Sequence, residues 1–311
     1  MDNAQQIKPK RRLFRPGRSS RADEMGLAGY LLRLLVLVVF GLFFFLPLFW
    51  LLFAPSKTDN QLLNMNPLAF GSLERYIVAW INMLEFNDGQ IVTWAFNSIY
   101  YVVMSLLLSV AVAVPAGYAL AIMRFAGRTL ILWLTMITMI IPGSALVLPL
   151  FLEMNLVRLI NTPWSVILPS SFFPFGVYLS FIFFKTSLHR DVLAAARVDG
   201  CSEWQLFRHS GLPLARTLLG LLAFLSFTAN WNNYFLPYVM LNKSKLYNLP
   251  VGLQALISGT TAIRPTFATD LPFHRAEAAL TGLVMVLPVA IVFLLTQRYV
   301  VSGAFTGSIK Q

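Results

Sequence analysis

Three side-chain amides and two aromatic rings stand together in Thr228-Ala229-Asn230-Trp231-Asn232-Asn233-Tyr234, within an otherwise apolar stretch. An amide both donates and accepts hydrogen bonds, and beside a flat ring this suits a ligand rich in hydroxyl groups. On a helix Asn230, Asn233 and Tyr234 share one face, with Trp231 next to it. Unpaired amides are costly in hydrocarbon, so these residues are expected to face a bundle interior or a wet cavity. Hydrogen bonding between helices would use the same residues without any ligand. Both readings stay open on the residues alone.

A second cluster lies in residues 186–215. Leu193-Ala194-Ala195-Ala196-Arg197 is a strong helix former, and Gly200 stands where a left-handed cap would end that helix. Ser202 and Gln205 form an S-x-x-Q capping box that opens a second short helix, and Pro213 closes the segment. The spacing therefore predicts two short helices joined by a glycine elbow. The alanines let another surface approach closely, while Trp204 and Phe207, three residues apart, offer an apolar anchor. An amphipathic hairpin resting on a membrane surface would look the same.

Other chemistries find little support. The single cysteine, Cys201, cannot form an internal disulfide, and His189, His209 and His274 are too far apart for a local metal motif. No G-x-x-x-x-G-K-[ST] occurs, and none of Lys8, Lys10, Lys57, Lys185, Lys243, Lys245 and Lys310 follows a glycine. A phosphate-cradling loop is absent, so ATP would have to be hydrolysed on another chain. No histidine falls within an apolar window to serve an intramembrane hydrolase, and the nearest acids, Glu153 and Glu277, sit at window ends rather than forming an ion relay.

These residues are carried by a chain of 311 residues, 57% hydrophobic and 12% charged, with mean hydropathy +0.68. Soluble domains hold about 25% charged residues, so a soluble enzyme, a disordered regulator and a disulfide scaffold are excluded. Six windows are long and apolar enough to cross a bilayer: Leu34–Ser56, Ile91–Met123, Thr129–Leu152, Leu159–Phe184, Thr217–Asn242 and Ala278–Gln297. Leu246–Ile263 is broken by Asn248, Pro250, Gly252 and Gly259 and reads as an external or re-entrant segment. The first window, with Leu34–Phe53 apolar throughout and no small-x-small site after it, is an anchor rather than a signal peptide. Prolines 47, 115, 142, 149, 169, 174, 237 and 288 are expected to kink the helices around a cavity.

The formal charge of +11 marks orientation rather than nucleic-acid binding, because the basic residues flank apolar windows. Lys8, Lys10, Arg11, Arg12, Arg15, Arg18 and Arg21 place residues 1–25 in the cytoplasm as a basic, polar segment. Arg124 and Arg128, then Lys185 to Arg216, then Arg298 and Lys310 follow on the same side. The expectation is an all-α membrane protein with both termini cytoplasmic.

Several motifs in order carry a resemblance. Ala194-Ala195-Ala196-Arg197-Val198-Asp199-Gly200 followed by Leu212-Pro213 resembles the EAA loop of ABC-importer permeases: E-A-A, three residues, G, nine residues, I, one residue, L-P. Asn66-Pro67-Leu68, Trp94-Ala-Phe-Asn97-Ser98, Tyr118 to Arg128, Trp231-Asn232-Asn233 with Pro237, and Gln297 to Lys310 also resemble that family, most closely the carbohydrate-uptake type of the maltose-system second permease.

The resemblance implies a type I importer permease fold over residues 26–311, with 186–215 as the cytoplasmic coupling loop. Ala194, Ala195, Ala196, Asp199, Gly200, Trp204, Phe207, Leu212 and Pro213 would meet an ATPase, and Asn230, Trp231, Asn233 and Tyr234 would line a solute path. It implies a multi-pass protein of a prokaryotic plasma membrane, contacting lipid. Its partners would be a second permease in a heterodimer, an ABC ATPase dimer and an extracytoplasmic solute-binding protein. No cofactor would bind this chain, ATP and Mg2+ belonging to the ATPase. The solute would be a sugar or oligosaccharide; a polyol phosphate importer and a membrane scaffold are the alternatives. Ala194 replaces the family glutamate and Ser210 the isoleucine, so Asp199 first, or Asp191 or Glu203, would supply the missing polar contact. External loops 57–90 and 243–275 would receive the binding protein, with Thr260–Arg275 as an insertion, and the tail after Arg298 would reach toward the ATPases.

Overall fold

The structure is a computed structural model that describes residues 27–258 and 275–306. The basic segment 1–25, the expected insertion apart from Arg275, and the last residues of the tail lie outside the described residues. The chain divides into two units, Met1–Trp50 and Leu51–Gln311.

The first unit holds most of α1 (Leu27–Phe53), a helix dominated by Leu, Val and Phe in which Arg33 is the charged residue. From Tyr30 to Trp50 its large apolar side chains are exposed on every side. A helix apolar all round needs an apolar solvent, which is the condition met in a bilayer.

The second unit begins with α2 (Asp59–Asn64) and α3 (Leu73–Glu85), each opened by a hydroxyl N-cap, Thr58 and Ser72 respectively. The segments on either side of α2 are tied together by Lys57, which is fully buried while its Nζ donates to the carbonyls of Asn66 (2.9 Å) and Pro67 (3.0 Å). Then come α4 (Gln90–Ile122), α5 (Arg128–Ile140), α6 (Gly143–Leu156), α7 (Trp164–Ser171), α8 (Pro174–Ser187), α9 (Arg190–Val198), α10 (Glu203–Leu206), α11 (Leu212–Leu214), α12 (Arg216–Trp231), α13 (Phe235–Met240), α14 (Leu249–Ser258) and α15 (Arg275–Thr306).

The central element is α4, which packs against α7, α8, α12 and α14. Its contact with α8 is close because small residues meet there: a Cβ added to Gly117 would lie 2.2 Å from Ser180 Cβ and 2.7 Å from the Phe181 nitrogen. Further along, Ser105 and Ser109 donate to the carbonyls of Ile167 and Ser171. Small residues and serine hydroxyls are how helices associate where apolar surface gains nothing by leaving solvent.

Among the described residues, four helices are long and apolar enough to cross a membrane, and up to six if each of two bent pairs is one span. The third window is one such pair: α5 and α6 meet at 110°, with Ile141-Pro142 between them. The expectation that every proline kinks its helix is corrected. Pro174 occupies the first turn of α8, where a missing donor costs nothing.

Candidate functional site

The elbow at residues 190–215 forms as its local chemistry dictates. Gly200 has φ +85°; its N–H donates to the Arg197 carbonyl and that of Cys201 to the Ala196 carbonyl, the paired bonds of a Schellman cap on α9. Ser202 accepts from the Gln205 N–H, and Gln205 Oε1 accepts from the Ser202 N–H at 2.7 Å, completing the capping box of α10. Across the elbow Arg197 Nε donates to Glu203 Oε1 at 2.8 Å. That bond holds the Arg197 guanidinium pKa above its ordinary value.

After α10 the chain makes a π-helical turn, Phe207–Gly211, before α11 and a 74° bend into α12. The turn directs Phe207 inward. Its ring lies 5.1 Å from that of Tyr118 and 6.4 Å from that of Phe184, and only 6% of the residue is exposed. The expected two-residue docking anchor is therefore corrected. Phe207 fastens the elbow to the bundle, while Trp204, 64% exposed with its ring 5.6 Å from Phe207, is the apolar group on offer outside. Ala194, Ala195, Asp199, Leu212 and Pro213 are exposed, and Ala196 is half-buried. Of the acids proposed to replace the missing glutamate, Glu203 is already engaged by Arg197, whereas Asp191 and Asp199 lie at the surface.

At the fifth window the single helical face expected for Asn230, Asn233 and Tyr234 does not exist. Helix α12 ends at Trp231, residues 232–234 leave the helix, and α13 starts at Phe235. The four residues separate as a result. Trp231 is 3% exposed, stacks on Phe227 and donates from Nε1 to the Met285 carbonyl at 3.0 Å, so it packs against α15. Asn230 donates to Ser226 Oγ at 3.2 Å and borders a narrow polar gap with Ser98, Ser105, Ser170 and Asn248. Asn233 borders a different, larger hollow of about 630 Å³ with Thr138, Ser144, Glu153 and Phe172. Tyr234 is half-buried, its ring 5.4 Å from that of Tyr238.

Two groups of residues were missed. Asn248 is 4% exposed and joins the break to α14: its Nδ2 donates to the Asn233 carbonyl at 2.8 Å, and its Oδ1 accepts from the Val251 N–H. An asparagine just before Leu249-Pro250 is an N-cap signal. One stripe of α4 then grips the preceding strand of chain. Trp94 donates to the Ser244 carbonyl, Asn97 to those of Lys245 and Tyr247, Tyr101 to that of Leu246, and Ser98 accepts from the Leu249 N–H. Their i, i+3, i+4, i+7 spacing was visible, but the backbone they hold is about 150 residues away. The Leu246–Ile263 segment accordingly contains a short helix, α14, of 10 residues. At about 1.5 Å per residue that cannot cross a bilayer.

Residues 113–305 match the family described as "Binding-protein-dependent transport system inner membrane component". The chain is 34% identical over 220 residues to the arabinooligosaccharides transport system permease protein AraQ of Halalkalibacterium halodurans, covering 70% of this chain and 74% of that one. It is 30% identical to AraQ of Bacillus subtilis over 280 residues, 89% of this chain and 94% of the other. The lactose transport system permease protein LacG of Rhizobium radiobacter is 28% identical, covering 85% and 90%. Among solved structures, a bacterial ABC transporter involved in the import of the acidic polysaccharide alginate superposes with TM-score 0.73 at 21% identity, covering 90% of this chain and 98% of that one. The last of these likenesses establishes the fold alone. Taken with the family match and the AraQ relatives, it follows that this chain belongs to the inner-membrane permease components of binding-protein-dependent ABC transporters.

Proposed function

We propose that the chain is one permease of a heterodimer that carries a sugar or oligosaccharide into the cytoplasm by alternating access. A separate ATPase dimer, which holds the ATP and Mg2+, drives it, and an extracytoplasmic binding protein delivers the solute. The chain itself catalyses no reaction. The observation that carries this reading is the elbow. A glycine-capped, reciprocally boxed pair of helices is fastened at Phe207 and presents Ala194, Ala195, Asp199 and Trp204 outward. Such a part is rigid enough to transmit a push and exposed enough to receive one.

The solute class is supported by the names of the relatives, which concern arabinooligosaccharides and lactose. Asn233, beside the larger hollow, is the better candidate for solute contact; Trp231 serves packing. Asp199 takes the role of the missing carboxylate, since Glu203 is paired. A hydrogen bond to a charged group is worth about 1.5–3 kcal/mol.

The test is uptake into proteoliposomes holding this chain with its co-encoded permease, ATPase and binding protein. Uptake of arabinooligosaccharides, lactose or a related glycan should require ATP and every subunit. Transport by this chain alone, down or against a gradient, overturns the reading.

A further inference from the structure

Between the elbow and the end of α4 lies a hollow of about 630 Å³, bordered by Ala121, Arg124 and Arg128 on one side and Ala194, Arg197 and Glu203 on the other. Three guanidinium groups and one carboxylate leave its wall positive. Small-ligand sites occupy about 300–1,000 Å³, so it has room for more than an ion. One Arg128 amino group donates to the Ala121 carbonyl at 3.3 Å and Arg197 is held by Glu203, while Arg124 is exposed.

One further atom gives this hollow a specific chemistry. Glu203 Oε2 and the Tyr118 hydroxyl are, among the described residues, the buried side-chain polar atoms without a hydrogen-bond partner. Tyr118 is 3% exposed and stands one turn before Ala121. Its hydroxyl lies within electrostatic reach of both Glu203 and Arg197, which border the hollow. A buried polar group left unsatisfied is destabilising, so the unpartnered Oε2 of Glu203, a residue on the border of this basic hollow, favours a ligand that supplies a hydroxyl group beside an anion. Arginine forks are shaped for phosphate oxygens.

We infer that this hollow binds a phosphate carried next to hydroxyl groups, the chemistry shared by a polyol or sugar phosphate and the head group of phosphatidylglycerol. Arg124 and the free part of the Arg128 fork hold the phosphate, and Glu203 Oε2 accepts from a ligand hydroxyl. A ligand so placed ties α9 to the turn between α4 and α5. Any effect on transport rests on the coupling role proposed above; the binding does not.

The full chain, with the partners that copurify, would be titrated in phosphatidylcholine nanodiscs with glycerol 3-phosphate, inorganic phosphate and glycerol by calorimetry. Saturable binding is expected for glycerol 3-phosphate, weaker binding for phosphate and none for glycerol. Arg124→Gln with Arg128→Gln should raise Kd by about tenfold or more. Because Arg128 also bonds Ala121, Arg124→Gln alone, at an exposed position, is the folding control and should weaken binding in the same direction. In phosphatidylglycerol nanodiscs, competition relieved by the same variants identifies the lipid head group as occupant, and unchanged affinity identifies the free phosphate. No saturable heat in phosphatidylcholine, equal heat from glycerol, or a Kd unchanged in both variants overturns the inference. ATP-dependent uptake, measured separately, reports on the coupling reading and leaves the binding result standing or falling by itself.

Discussion

Arg197 and Glu203 clasp the two arms of the elbow, Nε to Oε1 at 2.8 Å, yet both side chains are more than a third exposed. Exposed pairs contribute only about 0–1 kcal/mol, so the bend depends on Gly200 more than on this clasp. A Cβ at Gly200 would meet nothing within 4 Å, which leaves φ +85° as the whole penalty. Left-handed backbone costs other residues about 1–2 kcal/mol. Disruption should rise from Asn through Ala to Val at this position, read as lost ATPase copurification and faster proteolysis at the elbow. Glu203→Gln should leave the elbow intact by the same proteolysis.

Trp204 and Phe207 are neighbours with different duties, and truncation separates them. Phe207→Ala removes a ring packed on Tyr118 and Phe184, and buried Phe→Ala changes cost about 3–5 kcal/mol. Its melting temperature in detergent should fall. Trp204→Ala, at a largely exposed position, should melt like the parent and bind the ATPase less well. A normal pull-down with Trp204→Ala would remove that residue from the docking surface.

Arg75 reaches the fully buried Glu277 at 2.7 Å, and Asn82 adds a bond at 3.2 Å. Removing one partner of a buried ion pair costs up to about 3–5 kcal/mol, less here to the extent that Asn82 still holds Glu277. Arg75→Gln should therefore lower thermal stability strongly, and adding Glu277→Gln should recover much of the loss. A double variant as unstable as the sum of the two single ones would show that the pair is not coupled.

Gly117 tests the crossing of α4 and α8. Alanine there would drive Cβ into Ser180 and the backbone of Phe181, whereas alanine at Gly143 meets nothing within 4 Å. Overpacking costs about 1–3 kcal/mol, and a backbone neighbour gives way least. Gly117→Ala should fold poorly or melt early; Gly143→Ala should match the parent in the same thermal assay.

Much of this could be read from the residues in order. The elbow depends on bonds between positions at most six apart, and Gly200, Ser202 and Gln205 announce them by type and spacing. The apolar windows follow equally directly, because crossing hydrocarbon constrains length and charge within one continuous stretch. Residue order carries no such signal where a side chain's partner is distant in sequence. Nothing local to Phe207 says that a π-helical turn will point it at Tyr118 and Phe184. Nothing local to Trp231 names the Met285 carbonyl, and the break after α12 undid a helical face that spacing alone required.

What the amino-acid order settled by itself was the kind of protein: apolar spans, basic flanks, a capped elbow and no phosphate loop of its own. Tertiary structure decided which side chains remain available. Helix caps and hydropathy are satisfied within a few residues, whereas burial depends on which helices cross, and Asn248 gained its partner at Asn233 only when α14 folded back against the broken span.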